Sequence, residues 1–157
     1  MQIDVFRGTP HLGTTSDPSW IEVPVSSRAP YTYVAAFTCL VPQILAGDII
    51  EVSGQIAADV QSNYPPIGFG TAVVRSDNQF GTSGVPVVGY SMRNITSDIH
   101  HDSVTVHNFD NPPVSSWPNG AWWYNFLVYG ASSASIPPQT LKAYLNNSHF
   151  TVTRIRP

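Results

Sequence analysis

Asp98-Ile99-His100-His101-Asp102, with His107 and Asp110 downstream, is the one local cluster here whose residue types suit metal ligation or acid–base work. On an extended segment, alternation puts His100 and Asp102 on one face and His101 and His107 on the other. At a rise of roughly 3.3 Å per residue, His101 and His107 stand about 20 Å apart and cannot share an ion. His100 and Asp102 can, but two ligands make an incomplete site unless other strands or symmetry-related copies complete it. They are weak metal candidates beside a plainer reading, a polar strand start with exposed histidines.

No other motif specifies a reaction. The sequence has no Gly-x-Ser-x-Gly elbow, no His-x-His or His-Glu-x-x-His pair and no phosphate-binding glycine loop. Glu22 and Glu51 are the only glutamates. A catalytic carboxylate pair would need aspartates such as Asp59, Asp77 or Asp98, and nothing in the sequence brings two of them together. The expectation is a non-enzyme without a cofactor. Carbohydrate contact has two candidates, Trp117 in Trp117-Pro118-Asn119-Gly120 and Tyr64 in Asn63-Tyr64-Pro65-Pro66. Each could stack on a sugar ring or pack down as an anchor for its own loop.

The elements that must carry these residues are strands. In residues 48–58 one parity presents Ile50, Val52, Gly54, Ile56 and Ala58, and the other Ile49, Glu51, Ser53, Gln55 and Ala57. That is a half-buried strand, entered through the turn Ala46-Gly47-Asp48. Similar runs lie near residues 20–24, 32–41, 68–75, 85–92, 102–108, 121–131, 140–145 and 148–155, with a further short one at 2–6. The pairs Pro65-Pro66, Pro112-Pro113 and Pro137-Pro138 mark loops, because proline neither pairs inside a sheet nor continues a helix. The spacing predicts an all-β chain, an antiparallel β-sandwich or jelly roll of about 8–10 strands. Its 157 residues form one domain, with residues 1–19 an N-terminal arm or extended loop.

One strand is unusual. Residues 122–129 present Trp122, Tyr124, Phe126 and Val128 on one parity and Trp123, Asn125, Leu127 and Tyr129 on the other. A sandwich strand ordinarily has one dry and one wet face, so a strand apolar on both asks for a second cover. That cover is either a loop of the same chain or a second subunit. The reading adopted here is a trimer interface built from Trp122, Trp123, Tyr124, Phe126, Leu127 and Tyr129.

Composition points to neutral surfaces. Charged residues make up 11% of the chain, far below the usual quarter, while 42% is hydrophobic. The net charge is −3 and Lys142 is the sole lysine, so the basic stripe needed to bind nucleic acid is missing. Arg154 and Arg156 are expected to be solvated or locally paired. Cys39 has no partner for a disulfide and sits in an apolar run. The first residues lack a secretory signal and no run reaches membrane-spanning length, which gives the expectation of folding in a host cytoplasm with no membrane partner.

Two stretches carry a family resemblance. Gly47-Asp48-Ile49-Ile50-Glu51-Val52-Ser53 is similar to the Gly-Asp-x-[Val/Ile]-x-Val strand of small jelly-roll domains in bacteriophage virion proteins. The ending Asn147-Ser148-His149-Phe150-Thr151-Val152-Thr153-Arg154-Ile155 resembles the same domains. They look like tumour necrosis factor-type trimers and occur as capsid decoration (cement) proteins and as tail-fibre knobs. The resemblance spans about residues 20–155. It implies a homotrimer in the virion that decorates and stabilises a phage capsid by binding the major capsid protein, with residues 1–19 and loop tips at the contact. The alternative it implies is a tail-fibre tip that binds a host receptor or glycan.

Overall fold

The computed structural model describes residues 1–11, 19–27, 30–60, 67–95, 99–116, 118–132, 135 and 137–157. Among these residues ten strands follow one another: β1 (Gln2–Arg7), β2 (Thr9–Pro10), β3 (Trp20–Ser26), β4 (Val34–Val41), β5 (Ile49–Val60), β6 (Ile67–Ser76), β7 (Val85–Ile95), β8 (Ile99–Asp110), β9 (Trp122–Ser132) and β10 (Gln139–Arg156). One 3₁₀ turn, Pro118–Gly120, precedes β9. No helix among the described residues is long and apolar enough to cross a membrane.

The pairing sorts the strands into two layers. One is β3-β10-β5-β8, with β1 sharing β3's side of β10; the other is β4-β9-β6-β7, with β2 on the edge of β4. Every pairing is antiparallel except a two-residue parallel contact of Val25 and Ser26 with Gly130 and Ala131, which joins the layers. Consecutive strands from β3 to β10 cross between layers, save for the β6–β7 hairpin. The resulting orders are those of a jelly roll.

Alternation explains which side chains meet. Ile50, Val52, Gly54, Ile56 and Ala58 of β5 point inward with Val104 and Val106 of β8 and Phe150 and Val152 of β10. They pack against Phe37 and Cys39 of β4, Phe69 and Val73 of β6, and Tyr124, Phe126 and Val128 of β9. Phe126 is central, with ring centroids 6.3 Å from Phe37 and 5.4 Å from Phe150. Gly54 leaves room for it: a Cβ there would stand 2.9 Å from the Phe126 ring. Burial pushes the Cys39 thiol up to about 12, so it is an inert part of this core.

β10 is one bent strand where the sequence pattern gave two. Tyr144 pairs with Ala57 and His149 with Gln55, so residues 145–148 stand against Ile56 alone. Ser148 stitches the bulge: its Oγ accepts from the Ala57 amide at 2.9 Å and donates to the Tyr144 carbonyl. On the far side of β10 the bulge marks a change of partner, from β3 at Gln139 to Tyr144 to β1 at Thr151 to Arg156. Bulges bend a strand in this way.

Candidate functional site

Both faces of β9 are covered by the chain itself. Tyr124 and Phe126 lie in the main core, fully buried. On the opposite parity Leu127 joins Ala35, Ala72 and Val74 in a second cluster closed by Tyr33 and Phe80. Tyr129 lies under Tyr31 and Tyr33, at centroid distances of 5.3 and 5.1 Å. Asn125 explains why a loop settles there. It is fully buried in mid-strand and must be paired. Its Oδ1 accepts from Thr38 Oγ1 at 2.6 Å and its Nδ2 donates to the Asn78 carbonyl at 2.9 Å, holding the segment before Phe80 against the sheet. The facing layer therefore encloses Tyr124 and Phe126, and loop residues cover Leu127 and Tyr129, so that, against the expectation of a trimer contact, none of these four is exposed to another copy. Trp122 and Trp123 are half-buried; Trp122 Nε1 donates to the Pro113 carbonyl at 2.9 Å.

The remaining sequence candidates are scattered. Tyr64 and Trp117 lie outside the described residues, and so does the side chain of His100, although its backbone belongs to β8. Asp102 faces Arg93, with Oδ2 2.9 Å from Nε. His107 pairs with Glu51 at 2.8 Å on the opposite face of the same strand. Among the described residues no group of three or more His, Cys, Asp or Glu is placed to hold a metal.

Asp110 has a different task. Arg75 Nη1 donates to both its carboxylate oxygens, at 2.7 and 2.5 Å, and the Tyr124 hydroxyl donates to Oδ2 at 2.9 Å. Arg75 also lies over the Trp122 ring, 5.2 Å from its centroid. Burial and the neighbouring Asp110 carboxylate raise the Tyr124 phenol well above its ordinary range.

A second charged cluster ties down the chain's ends. Arg154 donates through Nη2 to Asp4 at 2.6 Å and through Nη1 to the Pro42 carbonyl at 2.5 Å. Arg156 donates to both oxygens of Asp48 at 2.8 Å and to the Gln43 carbonyl at 2.7 Å. These arginines, expected to be solvated or locally paired, instead bridge residues more than a hundred positions away. Hydrogen bonds from Arg154 and Arg156 hold the Asp4 and Asp48 carboxyls below the usual aspartate range. A lowered folded-state value stabilises the fold above the unfolded value, and that stabilisation is lost as pH falls through the folded one. The melting temperature should accordingly drop below about pH 4, the ordinary aspartate range. Asp48→Asn should flatten that drop, measured by thermal melts from pH 7 to 2; an equally steep drop in the variant would remove Asp48 from the cause.

Two surface features remain. The first is the outer face of β1-β10-β5-β8. Register sets Val5, Thr153, Glu51 and Phe109 in one row, Ile3, Ile155 and Ile49 in the next, and Arg7, Thr151, Ser53 and His107 on the other side. Ile3, Val5 and Phe109 are 55%, 62% and 52% exposed. The second is a cleft of about 330 Å³ beside the β10 bulge, lined by Arg7, Gly8, Phe37, Ser148, His149, Phe150 and Thr151. Sequence reasoning missed it because its members come from three separate segments; Asn146 and Asn147, between the runs at 140–145 and 148–155, were the only trace.

The comparisons with known proteins speak to the fold. No family model matches the chain, and neither does any curated protein. The chain aligns with a chain in the structure of infectious bursal disease virus, Gx strain, with a TM-score of 0.54 and 11% identity. The alignment covers 98% of this chain and 33% of the viral one, so this chain spans about a third of that chain's length. At that identity the likeness is one of fold: an all-β jelly roll shared with a chain of a solved virus.

Proposed function

We propose that the chain is a structural virion protein that decorates and stabilises a phage capsid as a homotrimeric knob bound to the major capsid protein. The observation that carries this reading is the outer face of β1-β10-β5-β8. It exposes Ile3, Val5 and Phe109 beside threonine and serine, with Glu51 and His107 paired to each other. Soluble monomers rarely leave such apolar groups gathered on one face. With Tyr124, Phe126 and Tyr129 of β9 enclosed, we assign the contact between copies to this face. Avidity across many lattice points would let modest contacts hold the shell. The shared fold with a viral chain agrees with this role.

Native mass by light scattering over a tenfold dilution tests the assembly. The expected species is near three times 17.1 kDa. Val5→Glu, which places a charge in the contact, should weaken association by about tenfold or more without lowering the melting temperature of the monomer. A wild-type monomer throughout, or a trimer indifferent to Val5→Glu and Phe109→Glu, would refute the assignment. Co-sedimentation with purified capsids then tests the partner. A second reading, a tail-fibre tip that binds a receptor or glycan, draws on the cleft beside Arg7.

A further inference from the structure

We infer that assembly through the outer face is proton-linked: the His107–Glu51 pair tightens the contact between copies at mildly acid pH and loosens it at alkaline pH. The inference rests on the assignment of that face to the contact between copies, and adds how the contact is regulated.

Geometry places the pair within the apolar rows. His107 Nε2 stands 2.8 Å from Glu51 Oε1, across the neighbouring strands β8 and β5. The His107 ring meets the Phe109 ring edge to face, with centroids 5.3 Å apart. Phe109 is the register partner of Glu51, and Val5 completes that row through Thr153. The carboxylate thus shares a row with Val5 and Phe109, the exposed apolar groups that a second copy would cover.

Few other charges face it. β10 presents Thr151 and Thr153 beside the pair, with His149 one row further on, opposite Gln55. On β1, Arg7 stands at the far end of His107's own row, three strands away. Asp110 turns inward to Arg75 of β6, and Arg93 of β7 is held by Asp102. Glu22, Asp59 and Lys142 lie beyond the β10 bulge. Among the described residues, His107 is the group paired with Glu51.

The sign follows from what burial does to charge. With a neutral imidazole the pair keeps the full negative charge of Glu51, and covering it with apolar surface costs desolvation. With a protonated imidazole the pair is neutral overall and its hydrogen bond is charge-assisted. Assembly therefore favours the protonated pair, and by linkage proton uptake favours assembly. The added stabilisation is complete on the acid side of the range in which histidine changes charge, and is lost as pH rises through it. In a lone copy the pair is open to water and is worth little, so the switch acts on assembly and not on folding.

Native mass by light scattering over a dilution series tests this, at about pH 5.5 and about pH 8 in roughly 0.15 M salt. The dissociation midpoint should lie about tenfold or more lower in concentration at the acid pH. His107→Gln should bring the two curves together. Glu51→Gln should reverse their order, because protonation then adds an unpaired charge to the contact. The reversal separates the pair from a general effect, since protons taken up by His11, His100, His101 and His149 draw the net charge of −3 toward zero in every variant. His149→Gln, which removes another imidazole from this face, should leave the difference in place. Unchanged melting temperatures show that the variants are folded. A trimer indifferent to pH, or tighter at alkaline pH, overturns the switch and leaves the assembly assignment standing. A difference that survives His107→Gln, or keeps its order in Glu51→Gln, overturns the pair as its source. A monomer at every pH overturns the switch and the assembly assignment together.

Discussion

Asp110→Ala should cost about 3–5 kcal/mol of stability, the usual penalty for breaking a buried ion pair from one side. Asp110 is the single acceptor that joins Arg75 of β6 and Tyr124 of β9 to the end of β8, and so ties the two layers together. Arg75 is 7% exposed and Tyr124 not at all, so neither can turn to water once the carboxylate is gone. The variant would keep a buried guanidinium against Trp122 and an orphaned phenol in the core. For a chain of this size the melting temperature should fall by roughly 10 °C. Tyr124→Phe, which removes one hydrogen bond and leaves the ion pair, should cost only about 1 kcal/mol. The double change Arg75→Met with Asp110→Leu removes both charges, and should recover more than half of the loss. Urea titration of the four proteins decides it. A single variant within about 1 kcal/mol of wild type, or a double variant no better than the single, would show that the cluster does not hold the layers.

The same cluster shows what a sequence can and cannot disclose. Strand identity is local, and it was legible: the inward set Ile50, Val52, Gly54, Ile56 and Ala58 follows from alternation alone, and the Gly47 turn, at φ 91°, from residue chemistry. Partnership is not local. That Asp110 serves Arg75 and Tyr124 depends on which strands cross between layers.

β9 shows the difficulty most sharply. Its two apolar faces were correctly read as needing two covers, but the second cover could not be identified. The answer lay in Asn125, whose amide reaches the backbone of residue 78, forty-seven positions away. A buried polar residue in an apolar strand was the available sign that the chain would bring its own partner. Likewise the split between β1 and β3 along β10, which opens the cleft at Arg7, appears in sequence only as polar residues interrupting a strand.

Arg154→Met should cost about 3 kcal/mol and release β1 ahead of the rest of the fold. Arg154 is 5% exposed and serves partners from two distant segments, the Asp4 carboxylate and the carbonyls of Pro42 and Gln43. It also lies 5.6 Å from the centroid of Phe6, the β1 side chain packed on the core. Methionine can keep much of the apolar stem packing but none of these donations. Lysine restores the charge without the planar fork, so Arg154→Lys should recover less than half of the loss. Hydrogen exchange gives the decisive readout: β1 amides should lose protection while those of β5 and β9 keep theirs. Because β1 carries Ile3 and Val5, its release should also weaken self-association, although neither residue has been changed. Full protection of β1 in the methionine variant would show that the β1–β10 ladder alone holds the strand, and that Arg154 is not its latch.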